Sequence, residues 1–318
     1  MGLQEGLVIK STGSRYIVRC GEDVFECRIK GKLRIKGIRT TNPLTVGDII
    51  DFEIQNEISE GGLPMGVISA LHQRKNYIIR KSVNLSKESH IIASNIDVAL
   101  IVATINYPAT MPAFIDRFLV TAEAYSIPAI VVFNKADLYN EHELDKMEIL
   151  AKTYRKIGYG SLITSTVTGA GLPELKETIR DKVSVITGIS GVGKSSLINT
   201  IDPTLYLKTE KISDYHKSGK HTTTFSEMFE LSFGGFIIDT PGIRSFGMID
   251  MKNDDVSHYF PEIFKVSDNC RFNNCTHTHE PGCAVKDAIE KGEISMSRYD
   301  SYLSILFEDE EEKYRQGF

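Results

Sequence analysis

Residues Gly188-Ile189-Ser190-Gly191-Val192-Gly193-Lys194-Ser195 fit the phosphate-binding pattern G-x-x-x-x-G-K-[ST]. Gly188, Gly191 and Gly193 let backbone N–H groups converge on phosphate oxygens. A helix beginning at Lys194 adds positive potential at its N-terminus. Lys194 then reaches the β- and γ-phosphates, Ser195 ligates Mg²⁺, and Ser196 ends the nucleotide-contacting stretch. A second such group is Asp239-Thr240-Pro241-Gly242, some 45 residues after Lys194. Asp239 sits where a carboxylate approaches Mg²⁺, and the N–H of Gly242 can face the γ-phosphate. Between the two lies a polar stretch, 216–224, that suits a switch loop. One of Thr222, Thr223 and Thr224 orders on the metal and γ-phosphate, and Thr223 and Thr224 are the catalytic candidates.

Asn134-Lys135-Ala136-Asp137 is the tetrapeptide that reads guanine in GTPases. Asp137 can accept hydrogen bonds from N1–H and the 2-amino group together, and adenine offers neither donor there. Asn134 ties loops together, and the Lys135 stem lies along the base. Ser165, after a strand at 161–164, takes the place of the last base-contacting loop. In an ordinary GTPase this tetrapeptide follows the phosphate loop. Here it precedes it, the order of a circularly permuted GTPase. The glutamine that orients the attacking water in many GTPases is replaced by Ile243, an apolar side chain, so His221 in the switch loop is the candidate catalytic group.

Such loops need strands behind them. Residues 97–104, 127–133, 182–187 and 235–238 are short, apolar and β-branched, which predicts buried parallel strands alternating with helices. Ile115, Phe118, Leu119, Ala122 and Tyr125 fall at helical spacing and belong to a core. Before them, 7–10, 15–20, 24–29, 48–54 and 64–70 read as five short strands separated by turn signals, which predicts an OB-fold barrel with Cys20 and Cys27 buried in it.

Cys270-x₄-Cys275-x-His277-x₅-Cys283 groups four sulfur and nitrogen donors within fourteen residues, a closed set that suits one structural Zn²⁺, with His279 the rival to His277. A helix is expected over 284–291, and Met296, Tyr299, Leu303 and Leu306 mark a longer one.

Net charge is −5, yet the five acids of 308–312 account for it, and without them 37 acids face 37 bases. Residues 27–47 hold six bases and no acid. Arg28, Lys30, Lys32, Arg34 and Lys36 alternate and share one face of a strand, unless Gly31 breaks it into a loop; Arg39 follows. Such a ribbon fits a phosphate backbone, and Arg74, Lys75, Arg80 and Lys81 form a second basic group. No apolar run exceeds about seven residues, so no membrane partner is expected. The five cysteines and the nucleotide motif point to a reducing cytoplasm. The chain divides into an OB-fold RNA-binding domain at 1–82, a permuted P-loop GTPase domain at 83–248 and a zinc-binding helical domain at 249–318.

Together these residues resemble the RsgA (YjeQ) family. The resemblance covers nearly the whole chain: the basic barrel, Arg74-Lys75-Asn76, Asn134–Asp137, Gly188–Ser196, His221–Thr224, Asp239–Gly242 and the cysteine–histidine cluster. It implies GTP hydrolysis to GDP stimulated by the small ribosomal subunit late in that subunit's maturation, rRNA binding, a monomeric state and a cytoplasmic site of action.

Overall fold

The structure, a computed structural model, describes residues 2–29, 43–81, 89–205, 227–239 and 253–307. The boundaries expected at 82/83 and 248/249 fall outside them.

The first five strands are β1 (Leu3–Ser11), β2 (Tyr16–Cys20), β3 (Asp23–Ile29), β4 (Ile49–Ile58) and β5 (Pro64–Leu71). They pair in the order β1-β2-β3-β5-β4, and β4 returns to β1, so the sheet closes into an OB-fold barrel with β3 and β5 parallel. Alternation along each strand turns Val8, Tyr16, Val18, Phe25, Ile50, Phe52 and Ile68 into one core. Cys27 is fully buried there, but Cys20 is only half-buried. It ends its strand, where the alternation gives out, with Sγ 3.9 Å from Gln4 Oε1.

Next along the chain is a hairpin that sequence periodicity does not announce, β6 (Tyr77–Lys81) against β7 (Ser89–Ser94). Its apolar runs are two or three residues long, and they become strands by pairing with each other rather than by their own periodicity. Around it, Asp48 is fully buried and ion-paired. Arg74 donates from Nε and Nη2 to its two oxygens at 2.6 and 2.7 Å, and Ser94 Oγ donates to Oδ1 at 2.6 Å. A buried carboxylate needs such partners. Lys75 pairs with Asp97, and Asn76 exchanges two hydrogen bonds of 2.8 Å with the Ile96 backbone. Arg74 is committed to Asp48, and with Lys75 and Asn76 it fastens the barrel to the chain that enters the central sheet.

The central sheet has the order β10-β9-β8-β11-β13-β12. Its members are β8 (Val98–Ala103), β9 (Ala129–Phe133), β10 (Gly160–Ile163), β11 (Val183–Thr187), β12 (Glu227–Glu230) and β13 (Phe236–Asp239). All are parallel except β12, which runs antiparallel to β13. Helices α1 (Pro112–Ala124) and α2 (Glu141–Ile157) cover one face, where Ile115, Phe118, Leu119, Ala122, Met147 and Ala151 are buried. Helices α3 (Leu172–Ile179) and α4 (Lys194–Ile201) cover the other through Leu175, Ile179, Leu197 and Ile201. Both faces are covered, which is why the strands read as continuous apolar runs. At the far edge β12 meets β1: Lys10 is registered with Glu227 and paired with it at 3.0 Å, and Arg19 reaches Glu230 at 2.8 Å.

The C-terminal region holds α5 (Pro261–Ser267), α6 (Ala284–Glu290) and α7 (Met296–Leu306). Phe260, Ile263, Val285, Tyr302, Ile305 and Val120 of α1 share its core. Of the stripe expected on α7, Tyr299, Leu303 and Leu306 pack against this core, whereas Met296 is 57% exposed. Arg298, Ser301, Tyr302 and Ile305 face inward beside them. Arg298 is held there by charge. Its Nε and Nη2 donate to Glu262 at 2.6 and 3.2 Å and its Nη1 to Asp116 at 2.9 Å, and the fully buried Asp116 also accepts from Tyr154 Oη and Ser301 Oγ. Among the described residues, no helix is long and apolar enough to cross a membrane.

Candidate nucleotide site and metal centre

Loops at the C-terminal ends of β8, β9, β10 and β11 converge on one mouth, the place where open parallel sheets bind ligands. The strand β11 runs into the loop 188–193, and α4 begins at Lys194, so the strand–loop–helix context of the phosphate motif is present. Two glycines are required by approach as well as by φ. At Gly188 (φ 146°) an added Cβ would lie 2.3 Å from the carbonyl oxygen of Val102, and at Gly193 (φ 95°) it would lie 2.5 Å from Asn134 Nδ2. Gly191 also has positive φ, at 87°. Val192 is buried beneath the loop, Ser190 and Ser196 are exposed or nearly so, and Ile189 and Ser195 are half-buried. Lys194 Nζ donates to the carbonyls of Gly188 and Ile189 at 2.8 and 2.9 Å, which places the ammonium inside the loop's curve.

The guanine-reading tetrapeptide stands against this loop. Asn134 is buried, donates from Nδ2 to the Val192 carbonyl at 2.9 Å, and accepts at Oδ1 from Thr164 Oγ1 at 3.0 Å. One amide side chain thus joins three loops, the role read from the sequence. Lys135 adopts φ 65°, and its Nζ donates to the Tyr107 carbonyl at 2.5 Å. Ala136 N–H donates to the Thr164 carbonyl at 3.1 Å. Asp137 is exposed at the mouth. The buried Ser165 donates from Oγ to Asp137 Oδ1 at 2.5 Å, while Val167 and Thr168 N–H groups donate to that same Oγ at 3.2 and 3.1 Å. The donors fix the serine, and the serine fixes the carboxylate.

The segment after β8 supplies a wall that the sequence motifs do not announce. Asn106 donates from Nδ2 to Glu143 Oε1 at 2.5 Å, and Tyr139 Oη donates to the Asn106 carbonyl at 3.0 Å. Glu143 is also the third residue of an α2 capping box with Asn140. The contacts of Asn106 join it to residues more than thirty positions away, so spacing carries no signal of them, whereas the Asn140–Glu143 pair is a short-range one.

Thr222, Thr223, Thr224, His221, Gly242 and Ile243 lie outside the described residues, as does the side chain of Asp239, whose backbone ends β13. Of the basic ribbon, Arg28 is exposed near the end of β3, whereas Lys30, Lys32, Arg34, Lys36 and Arg39 lie outside the described residues.

Cys270, Cys275, His277 and Cys283 come together with their donor atoms all within 4.8 Å of one another. The Sγ atoms of Cys270 and Cys283 are 3.6 and 3.5 Å from His277 Nδ1. A tetrahedron with metal–sulfur bonds of about 2.3 Å and metal–nitrogen bonds of about 2.0 Å has a sulfur–nitrogen edge of about 3.5 Å. The residues therefore fit a tetrahedral metal ion. Burial pushes the Cys275 thiol up to about 12 and the His277 imidazole down. The neutral imidazole is the form that ligates, and the thiols give up protons only to a compensating cation. His277 has φ 60°, its carbonyl accepts from Tyr299 Oη at 2.6 Å, and the Thr276 carbonyl accepts from Tyr302 Oη at 2.8 Å. His279 lies outside the donor set, with Nδ1 2.9 Å from Thr278 Oγ1.

A family model described as RsgA GTPase matches residues 71–249, and one described as the RsgA N-terminal domain matches residues 5–61. A Flavobacterium psychrophilum protein named small ribosomal subunit biogenesis GTPase RsgA is 55% identical over 311 residues, 98% of this chain and 94% of its own. A Phocaeicola vulgatus protein of the same name is 53% identical over 315 residues, 99% of this chain and 100% of its own. Among solved structures, YjeQ from Thermotoga maritima has a TM-score of 0.77 at 34% identity, covering 96% of this chain and 98% of that one. The structure titled YloQ, a circularly permuted GTPase, has a TM-score of 0.76 at 31% identity, covering 98% and 96%.

Proposed function

As the chain belongs to the RsgA family of circularly permuted GTPases, we propose that it hydrolyses GTP on the small ribosomal subunit, late in that subunit's maturation, and that cleavage times its departure. The observation that carries the nucleotide reading is the 2.9 Å hydrogen bond from Asn134 to Val192, which rebuilds one composite site from two motifs in reversed order. The small subunit as partner is supported by the names of the relatives.

In this reading Asp137, held by Ser165, selects guanine through charge-assisted hydrogen bonds. Backbone N–H groups of Gly188–Ser196 cradle the phosphates, and Lys194 exchanges its two loop carbonyls for phosphate oxygens. Ser195 and Asp239 would hold Mg²⁺, which supplies charge neutralisation between the β- and γ-phosphates when bound. One of Thr222, Thr223 and Thr224 orders on the γ-phosphate, with Thr223 and Thr224 the catalytic candidates, Gly242 donates its N–H there, and His221 stands in for the glutamine that Ile243 replaces. The rRNA backbone is gripped by the ribbon from Arg28 to Arg39, in a domain of residues 1–82. A GTPase domain of 83–248 comes next, and a domain of 249–318 carries one structural Zn²⁺ on Cys270, Cys275, His277 and Cys283. The protein works as a monomer in the cytoplasm.

Cosedimentation with purified small subunits tests this reading. Retention with a non-hydrolysable GTP analogue and release with GDP is the expected pattern. Equal retention in both states would remove the timing role, and no retention in either would remove the partner.

A further inference from the structure

Between two of the metal-centre cysteines the chain runs Cys270-Arg271-Phe272-Asn273-Asn274-Cys275. Arg271, Phe272, Asn273 and Asn274 are all exposed, Phe272 at 41%. Exposure alone does not set Phe272 apart, since Phe264 and Phe307 are exposed to 49% and 43%; its neighbours do. The guanidinium carbon of Arg271 lies 5.5 Å from the centre of the Phe272 ring, so cation and ring form one composite surface.

That surface is held in place at both ends. Arg271 N–H donates to the Gly282 carbonyl at 3.0 Å, and Cys275 N–H donates to the Phe272 carbonyl at 3.2 Å. Residues 269–279 contain Arg271 and no acid, with Asp268 just before them and Glu280 just after. The carboxylate of Glu280 is turned onto Thr276 N–H and Oγ1 at 2.8 and 2.6 Å and onto the N–H groups of Thr278 and His279 at 3.1 and 3.2 Å. An aromatic face, a guanidinium and two side-chain amides, with the Glu280 carboxylate engaged by its own loop, are the chemistry that receives an unstacked nucleotide. The ring stacks the base, the amides reach its edge, and the arginine meets phosphate.

We propose that Arg271–Asn274 form a stacking platform for one unpaired base of RNA. The proposal rests on the reading of this protein as an rRNA-binding GTPase and adds the kind of RNA contacted, single-stranded rather than helical. Because the platform is preordered, binding sacrifices little conformational freedom.

The chain contains no tryptophan, so Phe272→Trp places its sole indole on the platform. In metal-loaded protein, the expected result is quenching of that fluorescence by a single-stranded RNA dodecamer and by small subunits, and none by heparin, which has charge without bases. Phe272→Ala is expected to weaken binding of the dodecamer about tenfold while leaving metal content and GTP affinity unchanged; Phe272→Trp should bind as the parent does. Subunit binding without quenching, or quenching equally produced by heparin, overturns the platform and leaves the ribosomal reading standing. Quenching by the dodecamer without binding to subunits supports the platform and removes the ribosomal reading instead.

Discussion

Asp137 reaches into solvent, but Ser165 restrains it at 2.5 Å and two backbone N–H groups restrain Ser165. A carboxylate fixed before the base arrives gives most of its hydrogen-bond energy to binding rather than to ordering itself. Charge-assisted hydrogen bonds contribute roughly 1.5–3 kcal/mol. Asp137→Ala is therefore expected to weaken GTP and GDP binding about ten- to a hundredfold in a fluorescent-nucleotide titration, and ATP is not expected to compete with GTP on the parent. For His221 the proposed role is in turnover instead. His221→Ala is expected to lower subunit-stimulated hydrolysis with GTP affinity nearly intact, and to leave the protein trapped on subunits; equal losses in affinity and turnover would reassign it to a structural role. Much of the nucleotide site is legible in sequence, because phosphate and guanine recognition impose fixed short spacings. Tyr107, Asn106 and Glu143 are not, because their contacts join positions that only the fold makes neighbours.

Among the elements, α7 shows what hydrophobic spacing leaves out. The apolar stripe puts Tyr299, Leu303 and Leu306 against the core, but beside it the buried Arg298 meets Asp116 and Glu262. A basic residue one turn before Tyr302 and two before Ile305 lies on the buried face, and hydrophobic spacing alone does not register it. Removing one member of a buried ion pair strands the others and costs about 3–5 kcal/mol. Arg298→Ala is expected to destabilise the chain by that order in urea unfolding, whereas Tyr154→Phe, which leaves Asp116 its other donors, costs about 1 kcal/mol. The candidate metal centre is the other determinant proposed for this region. One zinc ion per chain is expected by elemental analysis, and a chelator should make the segment around α5 and α6 protease-sensitive while α1–α4 stay protected. His277→Ala should lose the metal and His279→Ala keep it; the reverse would reassign the ligand.

For the whole molecule, the barrel is joined to the central sheet by a shared apolar core, in which Val46 is buried and Leu7 and Ile9 of β1 pack, and by polar fasteners. The fasteners are Asp48 with Arg74 and Ser94, Asn76 with Ile96, and Lys10 with Glu227. A change on the barrel's exposed surface, outside this joint, should leave the nucleotide site alone. Reversing Arg28, Lys30 and Lys32 to Glu is expected to abolish stable subunit binding and its stimulation of turnover, with GTP affinity unchanged. Unaltered binding with unaltered salt dependence would show that the ribbon is only a solvated face. The strand order carries a consequence for biosynthesis. On a growing chain β8, β9 and β10 appear first, and β8 keeps one edge open until β11 arrives to fill it. Asn134 likewise waits for Val192, 58 residues downstream. Ligand can stabilise only a site that exists, so GTP cannot assist the first half of this domain as it leaves the exit tunnel. The guanine-reading loop must be shaped by its own strands, with an unpaired parallel edge exposed to chaperones and to neighbouring nascent chains. An unpermuted relative would make its phosphate loop first and meet the nucleotide from the opposite end.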